Sequence, residues 1–152
     1  MKSLFGFCGS LVYTVLFFLS VLVFGFVVLL PNLIINERMR WRVLTAFAQT
    51  NIRMCKYLCG LDHEVIGLKN IPNKPCIVFL KHSSVYELFF ALSFFQPSSY
   101  VAKYELMFVP VIRGAIKAMK CIPVKRGLGR SEVNKVVAKG EEYLNEGRWL
   151  VI

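Results

Sequence analysis

The apolar and polar positions divide this chain near residue 36. From Leu4 to Ile35 no residue is charged, and Leu, Phe and Val dominate a run of roughly 30 residues, well beyond the ~20 that a helix needs to cross a bilayer. Pro31 is placed to end or kink that helix. A signal peptide would have a shorter apolar core and a small-residue cleavage site, which this run lacks. The run predicts a helix that spans the membrane or lies deep within one leaflet. Arg38, Arg40 and Arg42 follow beside Trp41, against only Lys2 at the other end. That asymmetry predicts a cytoplasmic location for the following domain, with Trp41 at the membrane interface. Residues 41–59 read as an amphipathic helix, with Val43, Leu44, Phe47 and Met54 apolar and Arg53 and Lys56 polar. Such a helix either lies on the membrane surface or packs on the domain.

From Gly60 onward the pattern becomes an alternation of strand and helix. Val65-Ile66 predicts a short strand, Asn70–Asn73 a turn, and Ile77–Lys81 a strand buried on both faces. Ser84–Phe95 predicts a helix, Tyr100–Lys103 a strand, residues 111–119 a helix weakened by Gly114, and Cys121–Lys125 a strand. A Gly-containing loop over Arg126–Arg130 leads to a helix from Ser131 to Asn145, ended by Gly147, and Arg148–Ile152 starts a further strand. Alternation of this kind implies βαβ units around a largely parallel sheet, an α/β fold. The predicted organisation is membrane-associated helices over 1–59 and an α/β domain over 60–152.

The candidate chemistry lies in Cys76-Ile-Val-Phe-Leu-Lys-His82-Ser-Ser-Val-Tyr-Glu87. Strand ends that turn into helices are where open α/β sheets place their ligand clefts. On one continuous helix, five residues turn through about 500° and leave the two side chains about 140° apart. His82 and Glu87 can therefore meet only if His82 precedes the helix, and the cap signal at Ser84 puts it there. His82 would then serve as general base for a hydroxyl, with Glu87 fixing its tautomer and stabilising the imidazolium. The competing reading is structural, because Ser84-Val-Tyr-Glu87 is by itself a capping box. Ser83 and Ser84 are poor nucleophile candidates, since residues adjacent to the His rarely face it.

The composition narrows the partners. The net charge is +10, and Lys2 is the only charged residue before Glu37, so nearly all of it belongs to the remainder. A basic domain behind an apolar segment suits anionic lipid headgroups or phosphorylated substrates. No nucleic-acid module or Lys/Arg-rich block is present, and no nucleic-acid partner is expected. The five cysteines are Cys8, Cys55, Cys59, Cys76 and Cys121; an odd number in apolar settings reads as reduced thiols on a cytosolic face. Cys55, Cys59 and His63 fall at i, i+4 and i+8. Gly60 ends the helix before His63 and no fourth ligand is evident, so no metal site is expected.

Lys81-His82-Ser83-Ser84-Val85-Tyr86-Glu87 resembles the first motif of the glycerolipid acyltransferases, in particular the 1-acyl-glycerol-3-phosphate (lysophosphatidic acid) acyltransferases. That motif is usually His, four residues, then Asp; here the acid is Glu. The resemblance continues in Val65–Pro72, in Ala102-Lys103-Tyr-Glu-Leu106 and in Cys121-Ile-Pro-Val-Lys-Arg-Gly127, and covers roughly residue 60 to the end. It implies two N-terminal membrane-associated helices and acyl transfer from a thioester, acyl-CoA or acyl carrier protein, to the sn-2 hydroxyl of lysophosphatidic acid. The product would be phosphatidic acid, with no cofactor or metal. His82 and Glu87 would be catalytic. Lys125 and Arg126, at a strand end before Gly127, are the first candidates for the substrate phosphate, with Lys103 and Arg130 behind them. The family's Phe-Pro-Glu-Gly-Thr-Arg motif, due near Ile152, is absent, and an incomplete chain is expected. Two alternatives stay open: a membrane-anchored module that binds anionic phospholipid without chemistry, and an acyltransferase for another lysophospholipid.

Overall fold

The uncharged run forms helix α1 (Lys2–Val28) and the amphipathic stretch forms α2 (Glu37–Cys59) in the computed structural model, which describes residues 2–28, 35–81 and 83–152. Pro31, expected to end or kink the first helix, lies outside the described residues. Asn36 caps α2 by accepting the Met39 N–H at 2.9 Å. Gly60 ends it in the left-handed region at φ 67°, with the Leu61 N–H returned to the Cys55 carbonyl at 3.1 Å.

With α3 (Val85–Phe94), these two helices make one compact unit. Its interior follows the helical period of α2, where Trp41, Leu44, Ala48, Asn51 and Cys55 are buried. Trp41 thus begins a core stripe, and neither it nor the buried Arg40 faces outward as the interface reading required. Helices α1 and α2 run antiparallel. Phe24 meets Phe47 at 5.5 Å between ring centroids, and the Asn51 amide donates to Ser20 Oγ at 3.3 Å. At the far end Gly9 lies against the Leu58 backbone, where an added Cβ would stand 2.0 Å from the carbonyl oxygen. Phe89 of α3 closes the unit against Phe17 and Phe47, at 6.1 and 5.6 Å.

The second unit holds a four-stranded, wholly parallel sheet of order β1-β4-β2-β3. The strands are β1 (Ile77–Val78), β2 (Ser98–Lys103), β3 (Ile122–Val124) and β4 (Trp149–Val151). Helix α4 (Pro110–Ala118) joins β2 to β3, and α5 (Arg130–Asn145) joins β3 to β4. The α/β expectation holds. Helix α5 packs on β4 through Gly140, where a Cβ would come within 2.7 Å of Leu150 Cδ2.

Two strand expectations fail. Val65-Ile66 is not a strand: it has no ladder partner, and Ile66 is 87% exposed. β1 is not buried on both faces, for it sits at the sheet edge beside β4 alone and Phe79 beyond it is 80% exposed. An unbroken apolar run does not by itself distinguish a central strand from an edge.

Where β4 begins, at the amino ends of the strands, lies a buried cation that the sequence reading took only as the start of a strand. Arg148, 2% exposed, donates from Nε to Ser99 Oγ at 3.0 Å and from Nη2 to the Met119 and Ser98 carbonyls at 3.1 and 3.4 Å. Met119 is the C-cap of α4, so the guanidinium also faces the negative end of that helix dipole.

The approach of α1 and α2 makes a stability prediction. Gly9→Ala should force backbone from backbone and cost about 1–3 kcal/mol, whereas Gly6→Ala, with nothing within 4 Å of its Cβ, should be neutral. Thermal unfolding of the detergent-solubilised protein measures both. Equal midpoints for the two variants would contradict the contact.

Candidate active site

Helix α3 begins in a reciprocal cap. Ser84 accepts the Tyr86 N–H on its hydroxyl at 3.2 Å. Its own N–H and hydroxyl both donate to Glu87 Oε2, at 2.7 and 2.8 Å. The capping-box reading of Ser84 and Glu87 is therefore realised. Burial acts to raise the Glu87 carboxyl, but donated hydrogen bonds from Glu87's own backbone, Ser84 and Ser83 outweigh it and hold the group below the usual carboxylate range. Glu87 is thus an anion at neutral pH. His82 lies outside the described residues, and so does any pairing of His82 with Glu87.

The four basic candidates belong to the second unit and are all exposed. Lys103 ends β2 and pairs in register with Val124. Lys125 is the next residue along β3, so Lys103 and Lys125 come together at the carboxyl ends of adjacent strands. Arg126 follows in the turn from β3 into α5, which Gly127 and Gly129 shape with φ of 92° and 59°, and Arg130 opens that helix. The Lys125 N–H donates to Glu132 Oε2 at 3.1 Å, and its ammonium lies 4.5 Å from the centre of the Tyr104 ring. Tyr104 in turn meets Phe108 edge-on at 5.9 Å.

Strand order explains why this edge is suited to a ligand. β2 connects outward to its neighbour β3, whereas β3 connects back across β2 to β4. Under the right-handed rule for such crossovers, connections running in opposite directions put α4 and α5 on opposite faces. Adjacent strands whose connections leave on opposite faces form a topological switch point, with a crevice beyond their carboxyl ends. Lys103, Lys125 and Arg126 stand at that place. The uncapped N-terminus of α5 adds positive potential beside Arg130.

Burial pushes the Cys121 thiol up to about 11, and burial also raises Cys55, the reverse of what a nucleophilic thiolate needs. Sequence reasoning missed two residues of note. Tyr104 lies within the quoted Ala102–Leu106 stretch, but nothing in the spacing showed that its ring would receive Lys125. His63 was weighed only as a metal ligand, whereas its Nδ1 lies 2.7 Å from the Tyr86 hydroxyl.

Comparison with known proteins gives a consistent result. The family model described as Acyltransferase matches residues 62–152. The chain is 35% identical over 144 residues to a 1-acyl-sn-glycerol-3-phosphate acyltransferase of Pseudomonas aeruginosa, covering 91% of this chain and 56% of the relative. It is 32% identical over 73 residues to a chloroplastic 1-acyl-sn-glycerol-3-phosphate acyltransferase of Brassica napus, covering 47% of this chain and 21% of that relative. The chain therefore spans about half the length of the first relative and about a fifth of the second. No solved structure matches it significantly.

Acid titration tests the state of Glu87. Its carboxyl is depressed, as are Asp62 beside Lys56 and Glu146 beside Lys120. A carboxyl with a folded pKa below its unfolded value stabilises above the unfolded pKa and loses that contribution as pH falls through the folded one. The unfolding midpoint should hold above about pH 5 and decline from about pH 4.5 downward. Glu87→Gln should keep the neutral-pH midpoint near wild type and flatten the acid decline. An unaltered decline would mean that the cap does not hold the carboxylate.

Proposed function

The chain belongs to the acyltransferase family, and from that premise we propose that the whole protein acylates the sn-2 hydroxyl of lysophosphatidic acid from an acyl thioester, giving phosphatidic acid. The observation that carries this reading is Glu87, an ionised carboxylate fixed in the first turn of α3 five residues after His82. His82 takes the hydroxyl proton as the oxygen attacks the thioester carbonyl, worth typically 10²–10⁴-fold. Glu87 holds the imidazole in its tautomer and supports the imidazolium. When the tetrahedral intermediate collapses, the C–S bond breaks and the thiolate of coenzyme A or acyl carrier protein leaves with the proton from His82. Lys125 and Arg126, with Lys103 and Arg130 behind them, hold the phosphomonoester. The chemistry calls for no metal or resident cofactor. The names of the two relatives support lysophosphatidate as acceptor over another lysophospholipid.

The first helix sets the location. α1 contains 22 consecutive residues, Gly6–Val27, long and apolar enough to cross a bilayer. Yet α2 lies antiparallel along it, with Arg42, Gln49, Arg53 and Lys56 exposed. A transmembrane α1 would carry these groups into hydrocarbon, at about 2.5–3.5 kcal/mol for each charge near the centre. A hairpin lying in one leaflet keeps them at the headgroups while the outer face of α1 is immersed. The Arg-rich flank supports a cytoplasmic side for that leaflet and for the catalytic domain. After carbonate washing the protein should remain with the membrane, and protease added from the cytoplasmic side should remove an N-terminal tag. A tag cleaved only from the opposite side would establish a spanning helix instead.

Activity is tested with the full-length protein, labelled acyl-CoA and a panel of lysolipids. Glu87→Gln should fold normally and lose most of its turnover; the corresponding orienter swap in a serine-protease triad costs about 10⁴-fold. Neutralising Lys125 and Arg126 together should raise the KM for lysophosphatidate more than that for the thioester. Normal turnover by Glu87→Gln would reduce the carboxylate to a cap, and phospholipid binding without turnover by wild type would favour the binding-module reading.

A further inference from the structure

The contact between His63 and Tyr86 belongs to neither the basic edge nor the capping box, and it is built from several sides. The Tyr86 hydroxyl and His63 Nδ1 are 2.7 Å apart. The imidazole also meets the rings of Tyr86 and Phe90 edge-on, with centroids 5.6 and 5.8 Å away. One small ring therefore touches two successive turns of α3. On its other side His63 is tied to α2: its N–H donates to Asp62 Oδ1 at 2.9 Å, and Asp62 pairs with Lys56 in the last turn of that helix at 2.8 Å. The tight end of α2 at Gly60 fixes the short link between them.

Tyr86 immediately precedes Glu87, so any rotation of the first turn that displaces one displaces the other. We propose that His63 is a positioning residue for acyl transfer, which with Tyr86 sets the rotation of the first turn of α3 and hence the direction in which Glu87 presents its carboxylate. This rests on the function proposed above, in which Glu87 orients His82. A hydrogen bond between exposed side chains adds little to stability. The position of an orienting group does affect the rate, where a displacement of about 1 Å can cost 10²-fold. The clamp therefore acts on turnover far more than on folding.

The test uses the full-length enzyme with lysophosphatidate and acyl-CoA. Tyr86→Phe removes only the hydroxyl; it should lower kcat roughly tenfold, leave both KM values within about twofold and leave the unfolding midpoint unchanged. His63→Leu should do the same, and His63→Asn, which keeps an acceptor near the place of Nδ1, should recover part of the loss. In a Glu87→Gln background Tyr86→Phe should cost nothing further, since the clamp acts through Glu87. Wild-type kcat for Tyr86→Phe, or a full additional loss in the Glu87→Gln background, would overturn the clamp and leave the proposed function standing. If wild-type enzyme acylates no lysolipid, the proposed function fails and the clamp fails with it.

Discussion

Parallel pairing makes all four strands end at one edge, and the arrangement of the second unit depends on that constraint. The edge where strands begin is closed by Arg148. Its guanidinium binds Ser99, the Ser98 carbonyl and the α4 C-cap, so it ties β2, β4 and α4 at one point. A cation so deeply buried is costly unless its donors find oxygens, and here two come from β2 and one from the helix end at Met119. The opposite edge is then left for the exposed cations. Lys103, Lys125 and Arg126 gather there because β2 and β3 are paired in register and end together. One edge uses its positive charge for cohesion and the other presents it to solvent.

The period of the chain carried much of this. Helices α2, α3 and α5 and the ends marked by Gly60 and Gly147 follow from spacing and glycine, because helix periodicity and left-handed caps are local properties. The α/β alternation likewise survives. Sheet order is different in kind: nothing local says that β4 inserts between β1 and β2, so the apolar run at Cys76–Leu80 looked central when it lies at an edge. Trp41 misled for a related reason. An aromatic beside arginines suits a membrane interface and a helix core equally well, and only the neighbouring helices decide which it meets.

The candidate site was legible in the same uneven way. The basic residues were found from a strand end followed by glycine, a pattern the sheet geometry then explains. Contacts between side chains far apart in sequence were not legible. The Lys125–Tyr104 approach and the His63–Tyr86 bond join residues 21 and 23 positions apart, and no periodicity links them. His63 drew notice only because its spacing from two cysteines imitated a metal site.

The departure from the family's usual Asp at Glu87 has a local reason. A capping box needs the third helical residue to reach back to the cap N–H, and Glu or Gln has the arm for it. Glu87 Oε2 takes both donors of Ser84, which an Asp, one methylene shorter, would not reach in the same way. The cap restrains the longer side chain, and its hydrogen bonds keep the carboxyl ionised, so reach and charge are secured together. The proposed function asks the same capped carboxylate to serve His82 as well. In the proposed function, a carboxylate fixed by its own helix would lose less freedom on engaging an imidazole, so that a longer, looser arm could serve where the family usually places a shorter one.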